Sequence, residues 1–341
     1  MDKERIDMKA NRHTSLGLSD EDVLEMYRYM LLARKLDERM WLLNRSGKIN
    51  FVVSGQGQEA AQIGAGFALD RTKDYIAPYY RDLGLVLYYG MTTKDIMLSA
   101  FGKHEDPNSA GRQMPNHFGD KKRKIITGSS PVTTQVPHAV GFALASKIKN
   151  DPFVTFTTLG DGSTNQGDFH EGLNFAGVHQ LPVITMVENN KYAISVPLDK
   201  QIASENIAVR ADSYGMPGIV IDGNDPLEVY EAMQQARKRA MNGEGPTLIE
   251  AITDRLTAHS SDDNDRTYRT EQELKEMRNT DCLLRFRTYL EELNILTEEK
   301  NEKITEQIKT EINEATDYAE RAADPDPATI KDYVYEMQGG E

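Results

Sequence analysis

The segment Val154-Thr155-Phe156-Thr157-Thr158-Leu159-Gly160-Asp161-Gly162 decides the fold of this chain. Its first six residues form a β-rich run, and a second such run, Val183 to Val187, stands before Asn189-Asn190. Residues 167–178, between the two runs, have the pattern of a helix. If this is a strand–helix–strand crossover, Asp161 and Asn190 follow the carboxyl ends of parallel strands, where open α/β sheets bind their ligands.

Asp161 and Asn190 together predict a divalent-metal and diphosphate site. Each of the two short motifs, Gly-Asp-Gly and Asn-Asn, is by itself more typical of a turn. A carboxylate and an amide oxygen that face one point suit a hard cation such as Mg²⁺, which is commonly held by one or two carboxylates plus substrate phosphates. A bound diphosphate would therefore complete the coordination of the metal.

Strand and helix patterns continue to alternate after this unit, which predicts an α/β fold with a doubly wound, mainly parallel sheet. The expected strands lie near residues 154–159, 183–188, 218–222 and 247–252. The helices between them are expected near residues 167–178, 202–214 and 226–242, and earlier helices near 19–44, 59–69, 93–101 and 135–148. Ser19 resembles an N-cap, with Asp22 as its capping-box partner.

Three regions are predicted along the chain. Residues 1–18 are a polar N-terminal arm, and residues 19–270 form the α/β domain. Residues 271–341 are a helical C-terminal extension packed on that domain, because charged amphipathic patterns replace the strand signals there. This extension of roughly 70 residues is too short for a second doubly wound domain.

Composition excludes several classes of function. With 341 residues and 39% hydrophobic residues the chain can bury a substantial core, and its 40 basic against 54 acidic residues, a net charge of −14, disfavour a nucleic-acid partner. The single cysteine, Cys282, excludes an internal disulfide framework and a cysteine-cluster zinc site. Because no signal peptide and no apolar run of about 18 residues is found, we expect a soluble, cytoplasmic protein with no membrane partner.

The segment Gly55-Gln56-Gly57-Gln58-Glu59-Ala60 superficially matches the dinucleotide-binding pattern G-x-G-x-x-G/A. The strand expected before it is short, and Pro78 and a tyrosine cluster interrupt the strand–helix–strand unit expected after it. We therefore favour the start of a packed helix over NAD binding.

A family resemblance extends these inferences. Gly-Asp-Gly, 26 intervening residues and Asn-Asn form the signature of thiamine-diphosphate enzymes, and the stretch from Gly160 to Pro197 resembles the α subunits of 2-oxo acid dehydrogenases. The sequence His259-Ser260-Ser261-Asp262-Asp263 resembles the active-site loop of the branched-chain members, whereas pyruvate enzymes more often carry GHSMSDP-like sequences. The resemblance runs from about Ser19 to Tyr268 and continues more loosely to the C-terminus.

The resemblance implies specific ligands for two cofactors. Mg²⁺ would be bound by the side chains of Asp161 and Asn190 and by the backbone carbonyl of Tyr192. Thiamine diphosphate would contact Tyr80, Arg81, Ser130, Val132, Gly160, Asp161, Gly162, Ser163, Asn190, Ala193, Ile194 and His259. In some relatives a structural K⁺ is held by residues that match Ser129, Pro131, Thr134 and Gln135.

The resemblance also assigns catalytic roles to His259, Tyr80, Ser130 and Arg255. Tyr80, together with Tyr79, would border the thiazolium and the substrate, while Arg81 and His259 would contact the diphosphate. Arg255 would be a loop anchor or a lipoyl contact. Ser260 matches the serine that mitochondrial relatives phosphorylate. His117, His138 and His170 show no metal-binding spacing, and no catalytic role is predicted for them.

One residue departs from the family pattern. Many relatives have a basic or polar residue just before Asn-Asn, and this chain has Glu188, whose negative charge beside a phosphate would be unfavourable. Either Glu188 points away from the site, or Arg81, His259 and Mg²⁺ compensate its charge.

The implied activity is the oxidative decarboxylation of branched-chain 2-oxo acids, 2-oxoisovalerate and its relatives, with acyl transfer to a lipoyl group. The implied partners are a β subunit in an α₂β₂ heterotetramer, which supplies the glutamate at the aminopyrimidine ring, and the lipoyl-bearing acyltransferase core. Two alternatives stay open: an α subunit of a pyruvate or acetoin dehydrogenase, and a non-catalytic cofactor-binding scaffold subunit.

Overall fold

Seven strands are present in the computed structural model, which describes residues 12–332 and residue 334. They are β1 (Tyr75–Ala77), β2 (Thr155–Gly160), β3 (Val183–Asn189), β4 (Tyr192–Ala193), β5 (Val196–Pro197), β6 (Gly218–Asp222) and β7 (Thr247–Ile252). Five of them form one sheet in the order β1-β2-β3-β7-β6, in which every neighbouring pair is parallel, while β4 and β5 form a small antiparallel pair. The predicted α/β fold with a mainly parallel sheet is confirmed.

The helices, in chain order, are α1 (Arg12–Ser15), α2 (Asp20–Arg45), α3 (Glu59–Ala68), α4 (Leu83–Tyr88), α5 (Thr93–Ala100), α6 (Gln135–Lys149), α7 (Gly167–His179), α8 (Pro226–Met241), α9 (Glu271–Asn279), α10 (Cys282–Glu292) and α11 (Glu298–Arg321). Short 3₁₀ helices cover Asp161–Asn165, Leu198–Lys200, Ala208–Tyr214, Asp265–Thr267 and Pro327–Lys331.

Both faces of the sheet are covered, as expected for a doubly wound arrangement. Along β3, Ile184 and Met186 belong to one apolar cluster, which also contains buried residues of α2, α3 and α8. Val183 and Val187 point to the opposite face, where they belong to clusters with α6 and α7. This alternation, with both sets buried, is the pattern of a strand packed between two helical layers.

The strand register places the predicted ligands together. β2 and β3 pair in parallel, with Gly160 opposite Glu188, so both strands end at the same edge of the sheet. Asp161 and Asn190, which follow these two strand ends, therefore adjoin each other.

Helix α2, near the N-terminus, and helices α10 and α11 of the C-terminal extension share one core. The hydroxyl of Ser19 accepts a hydrogen bond from the Asp22 amide, and the Asp22 carboxylate accepts one from the Ser19 amide, so the predicted capping box is present at the start of α2. Phe286 of α10 and Ile308 of α11 lie in the same apolar cluster as Met30 of α2. The extension thus packs directly on the α/β unit.

Two expectations about the elements need correction or limitation. The helix expected over 202–214 is wrong in its first half, since only Ala208–Tyr214 is helical, and as a 3₁₀ helix. The amides of Ile207 and Ala208 donate to the buried carboxylate of Glu250 at 2.7 and 2.8 Å, and the Ser204 hydroxyl donates to a nearby carbonyl, so these groups replace the bonds of a regular helix. Residues 1–11 of the expected arm lie outside the described residues, and residues 12–15 form α1.

The Gly55-Gln56-Gly57 segment is a close-packed loop without a strand before it. A Cβ on Gly55 would lie 2.5 Å from the carbonyl oxygen of Arg81, and one on Gly57, whose φ is +95°, would lie 2.3 Å from the carbonyl oxygen of Asp254. The glycines are needed for these approaches, so the dinucleotide reading is not required to explain them.

Candidate active site

A pocket of about 440 Å³ opens at the carboxyl edge of the sheet. This volume is within the range of small-molecule sites. The sequence-predicted residues that line it are Tyr79, Tyr80, Arg81, Ser129, Ser130, Val132, Gln135, Gly160, Asp161, Gly162, Ser163, Asn190, Tyr192, Ala193, Ile194 and His259. Arg255, Pro131 and Thr134 are not among the lining residues.

Asp161 is the anionic group of the pocket and is almost fully buried, with 1% of its surface exposed. One carboxylate oxygen accepts a hydrogen bond from Gln201 at 2.7 Å, while the other, Oδ1, is buried and has no hydrogen-bond partner. Burial raises the pKa of this carboxyl, and the hydrogen bond from Gln201 opposes that rise. A buried carboxylate oxygen without a partner is costly, and a bound cation would remove that cost.

The two asparagines after β3 have different surroundings. Asn189 donates to Glu250 at 2.7 Å and accepts from the Lys191 amide at 3.0 Å, so its side chain is used within the protein. Asn190 lines the pocket, and its side-chain oxygen accepts a 3.3 Å hydrogen bond from the Tyr192 amide. Lys191 has a positive φ of 71°, a strained conformation that persists only where neighbouring contacts impose it.

Gly162 allows the turn after β2 to contact the turn after β3. A Cβ on Gly162 would lie 2.5 Å from the Cβ of Ala193. Thr133 joins the segment around Ser130 to the turn after β2, since its hydroxyl donates to the carbonyl of Ser163 at 3.0 Å. Asp161, Asn190 and the segment around Ser130 thereby border one cavity.

Arg81 and His259 form a hydrogen-bonded pair beside the pocket. Nη1 of Arg81 donates to the carbonyl of Ser54 at 2.6 Å, and Nη2 donates to Nδ1 of His259 at 2.9 Å. A guanidinium only donates, so Nδ1 is unprotonated and the neutral ring carries its proton on Nε2. Burial, then the charges of Arg81 and Arg255, lower the pKa of His259 to about 4. The pair therefore offers N–H donors for an anion.

The turn that carries Tyr79, Tyr80 and Arg81 is fixed by Asp82. The Asp82 carboxylate accepts from the Tyr79 amide at 2.8 Å and from the Thr158 hydroxyl. Asn116 donates to the Tyr80 carbonyl at 2.9 Å. These contacts hold the ring of Tyr80 at the pocket.

Glu188 points away from the pocket. Its buried carboxyl accepts hydrogen bonds from the Tyr79 hydroxyl at 3.1 Å and from the Gln62 amide at 3.3 Å, and it is not a lining residue. Burial and the neighbouring Asp82 raise its pKa well above the usual carboxyl value. The geometry therefore favours the explanation that Glu188 points away from the site, rather than compensation of its charge by neighbouring cations.

Arg255 lies behind the pocket and is fully buried. Its Nη2 donates to the carbonyl of Ile194 at 2.8 Å and to the Tyr268 hydroxyl at 2.9 Å, and Nη1 lies 3.4 Å from the carbonyl of Tyr192. Arg269 donates in turn to the carbonyl of Arg255 at 2.8 Å. These contacts are those of a loop anchor, and burial leaves the guanidinium inaccessible to a lipoyl group.

Sequence reasoning missed Phe51, Met114 and His117, which also line the pocket. They come from segments that are irregular in the structure, and only long-range contacts bring them together. His138 and His170 are exposed on α6 and α7 and are absent from the lining.

Between residues 12 and 332, and at 334, no group of three or more histidine, cysteine, aspartate or glutamate side chains is arranged to hold a metal ion. The predicted Mg²⁺ site would have only one carboxylate, so it depends on the diphosphate for further oxygens. Within the same residues no helix is long and apolar enough to span a bilayer.

Comparison with known proteins gives one consistent result. The sequence profile described as dehydrogenase E1 component matches residues 27–328. The chain is 62% identical, over 96% of its length and 99% of the relative's, to the 2-oxoisovalerate dehydrogenase subunit alpha of Bacillus subtilis. It is 40% identical, over 93% of its length and 82% of the relative's, to the pyruvate dehydrogenase E1 component subunit alpha of the same organism, and 39% identical to that of Bacillus cereus, over 94% and 83%.

Proposed function

Because this chain belongs to the dehydrogenase E1 component family, we propose that it is the α subunit of a branched-chain 2-oxo acid dehydrogenase, acting on 2-oxoisovalerate and related acids. The 62% identity to a 2-oxoisovalerate dehydrogenase subunit alpha, against 40% to a pyruvate dehydrogenase subunit, supports the branched-chain reading. In the structure, the observation that carries the proposal is the unpartnered Oδ1 of Asp161 in a pocket shared with Asn190 and Tyr192.

The residues of this pocket fit thiamine diphosphate and Mg²⁺. Asp161, Asn190 and the Tyr192 carbonyl would bind the metal, and Gly162 and Ser163 would lie against the diphosphate. The Nε2 proton of His259 and the remaining N–H groups of Arg81 would donate to phosphate oxygens, a pairing that suits a guanidinium. K⁺ binding by Ser129, Pro131, Thr134 and Gln135 also belongs to the proposal. In the structure the Thr134 hydroxyl donates a hydrogen bond to the Pro131 carbonyl at 3.2 Å.

Each part of the chain has a definable task in the reaction. When bound, thiamine diphosphate supplies the nucleophilic carbon and the electron sink for decarboxylation. Arg81 keeps His259 in the Nε2-protonated form, and Asp82 holds the turn that presents Tyr80. Tyr80, Val132 and Ser130 border the space for the substrate, and Arg255 fixes the loop that carries His259.

The site needs a second polypeptide under this proposal. The glutamate that acts on the aminopyrimidine ring in this family would come from a β subunit, and the active enzyme would be a cytoplasmic α₂β₂ heterotetramer that delivers acyl groups to a lipoyl-bearing acyltransferase. Met114, Val132 and Ile194 are between 39% and 56% exposed around the pocket, which supports a covering partner.

Co-expression with the β subunit tests the proposed function. We expect the purified complex, supplied with thiamine diphosphate and Mg²⁺, to release CO₂ from 2-oxoisovalerate with a higher kcat/KM than from pyruvate. A higher value for pyruvate or for acetoin would favour the corresponding α subunit instead. Cofactor binding without any decarboxylation would favour the scaffold alternative.

A further inference from the structure

His117 and Ser130 form a hydrogen-bonded pair in the pocket wall, and no sequence pattern predicts a joint role for them. Nε2 of His117 lies 2.7 Å from Oγ of Ser130, and Nδ1 lies 2.9 Å from the backbone carbonyl of Met114. Both side chains line the same cavity as Tyr80 and Asp161.

The carbonyl of Met114 determines the direction of this hydrogen bond. A carbonyl oxygen only accepts, so Nδ1 of His117 must carry a proton. When the imidazole is neutral, its other nitrogen is an acceptor, so Nε2 then accepts the hydroxyl proton of Ser130. The Ser130 oxygen consequently has only lone pairs to offer to a molecule in the pocket.

The surrounding backbone keeps the two side chains together. Asn116, which is buried and has a φ of +66°, donates to the carbonyls of Val53 and Tyr80 at 3.1 and 2.9 Å. The amide of Gly128 donates to the carbonyl of Phe118 at 3.0 Å and joins the segment of His117 to the segment of Ser130. The backbone next to His117 and the backbone next to Ser130 are therefore held in place.

We propose that His117 is a positioning residue which, by accepting the proton of Ser130, makes the Ser130 oxygen a hydrogen-bond acceptor for a hydroxyl group on carbon 2 of the substrate skeleton. This inference rests on the proposed function, which places the acyl chain in this part of the pocket. A 2-oxo group has no proton to donate to Ser130, whereas a hydroxyl group on the same carbon has one. The pair thus favours the hydroxyl form of that carbon over the carbonyl form. Such a preference assists a reaction in which a nucleophile adds to that carbon, the C=O π bond breaks and the oxygen takes up a proton.

The tautomer of His117 gives a test that needs neither cofactor nor turnover. In the full chain labelled with ¹⁵N-histidine, the His117 signals, identified by their loss in His117→Gln, should show a protonated Nδ1 and an unprotonated Nε2. Ser130→Ala should shift the Nε2 signal, because the hydrogen bond to it is lost. A protonated Nε2 with a bare Nδ1, or no response to Ser130→Ala, overturns the proposal.

Two amide substitutions separate positioning from packing. The amide of His117→Gln can reach the place of Nε2 and accept from Ser130, whereas that of His117→Asn reaches only the place of Nδ1. The probes are 2-hydroxy-3-methylbutanoate and 3-methylbutanoate, which differ by the hydroxyl, titrated calorimetrically into the α₂β₂ complex. We expect the wild type to prefer the hydroxy acid by about tenfold, as one hydrogen bond allows.

The preference for the hydroxy acid should persist in His117→Gln. It should be lost in His117→Asn and in Ser130→Ala. His138→Asn, on the exposed face of α6, is the matched control and should keep it. Equal behaviour of the two His117 amides, or no preference in the wild type, contradicts the proposal. If the tautomer and the preference are found but the complex decarboxylates no 2-oxo acid, the proposed function fails and the binding site stands.

Discussion

At the residue scale, Asp161 is the side chain on which the proposed metal site depends most. We expect Asp161→Ala to weaken Mg²⁺-dependent binding of thiamine diphosphate by about tenfold or more, because the site loses its only carboxylate ligand. Folding should be retained, since the substitution also removes a buried carboxylate oxygen that has no partner. Calorimetric titration of the complex, with and without Mg²⁺, measures the effect.

Asp199→Ala is the matched control, because that carboxylate is 70% exposed and lies on the 3₁₀ helix of residues 198–200. It should bind cofactor like the wild type. Unchanged affinity in Asp161→Ala would remove the basis for the metal assignment.

His259 predicts a specific pH dependence of stability. Its pKa is lowered to about 4 in the folded chain, against about 6.5 for an unperturbed histidine. The neutral form is favoured by folding, so this contribution is present above pH 6.5 and is lost as the pH falls through the window down to about 4. His259→Asn should flatten the fall in unfolding free energy across that window, measured by urea titration of the cofactor-free chain. An unchanged slope would show that the ring does not titrate this way.

The position of a residue in the fold decides whether the sequence alone could predict it as part of the site. Asp161 and Asn190 stand directly after two strands, so the strand pattern alone brought them to one edge. His117 and Met114 reach the pocket through contacts such as the hydrogen bonds of Asn116, which no local pattern encodes. The direction of Glu188 likewise depends on Tyr79 and Gln62, which are distant in the chain.

At the scale of elements, the loop before α3 supports the turn that carries Arg81 and the strand end at Asp254. We expect Gly57→Ala to destabilise the chain by clearly more than Gly47→Ala. Both glycines have positive φ, so each alanine costs about 1 kcal/mol or more of strain, but only Gly57 also has a backbone oxygen where the Cβ would lie. Thermal unfolding of the two variants compares them, and equal losses would argue against close packing at Gly57.

The loop from Leu256 to Tyr268 gives a second prediction at this scale. Ser260 is only 7% exposed and follows His259, so Ser260→Glu places a charge and extra bulk beside the proposed diphosphate site. We expect lower turnover of the complex and faster proteolysis of this loop, with cofactor and Mg²⁺ giving protection in the wild type. Ser260→Gln separates bulk from charge. Full activity of Ser260→Glu would contradict the expected effect of the added charge. Equal proteolysis with and without cofactor would contradict the expected ordering of the loop by cofactor.

Long helices could be predicted because the spacing of apolar residues and the capping residues indicate the same helix, as in α2 with its capping box at Ser19. The helix expected from residue 202 was wrong because Glu250, a distant residue, binds the amides of Ile207 and Ala208. β1 and α4 were not predicted, since three and six residues carry too little pattern to stand out.

At the scale of the whole molecule, the proposed function makes the described residues one half of a site. The proposed diphosphate side lies around Asp161, while apolar side chains at Met114, Val132 and Ile194 are exposed around the pocket. The one parallel sheet and the C-terminal helices that share its core leave no second doubly wound unit among residues 12–332 and 334. Under the proposed function, a partner chain must therefore bind the aminopyrimidine half of the cofactor.

The most direct test is the rate of 2-oxoisovalerate decarboxylation by the purified chain alone and after addition of the β subunit, with thiamine diphosphate and Mg²⁺ in both samples. We expect no CO₂ release and weak cofactor binding by the chain alone, and we expect the β subunit to restore both. Robust decarboxylation by the chain alone, with the β subunit shown absent by mass spectrometry, would contradict this expectation.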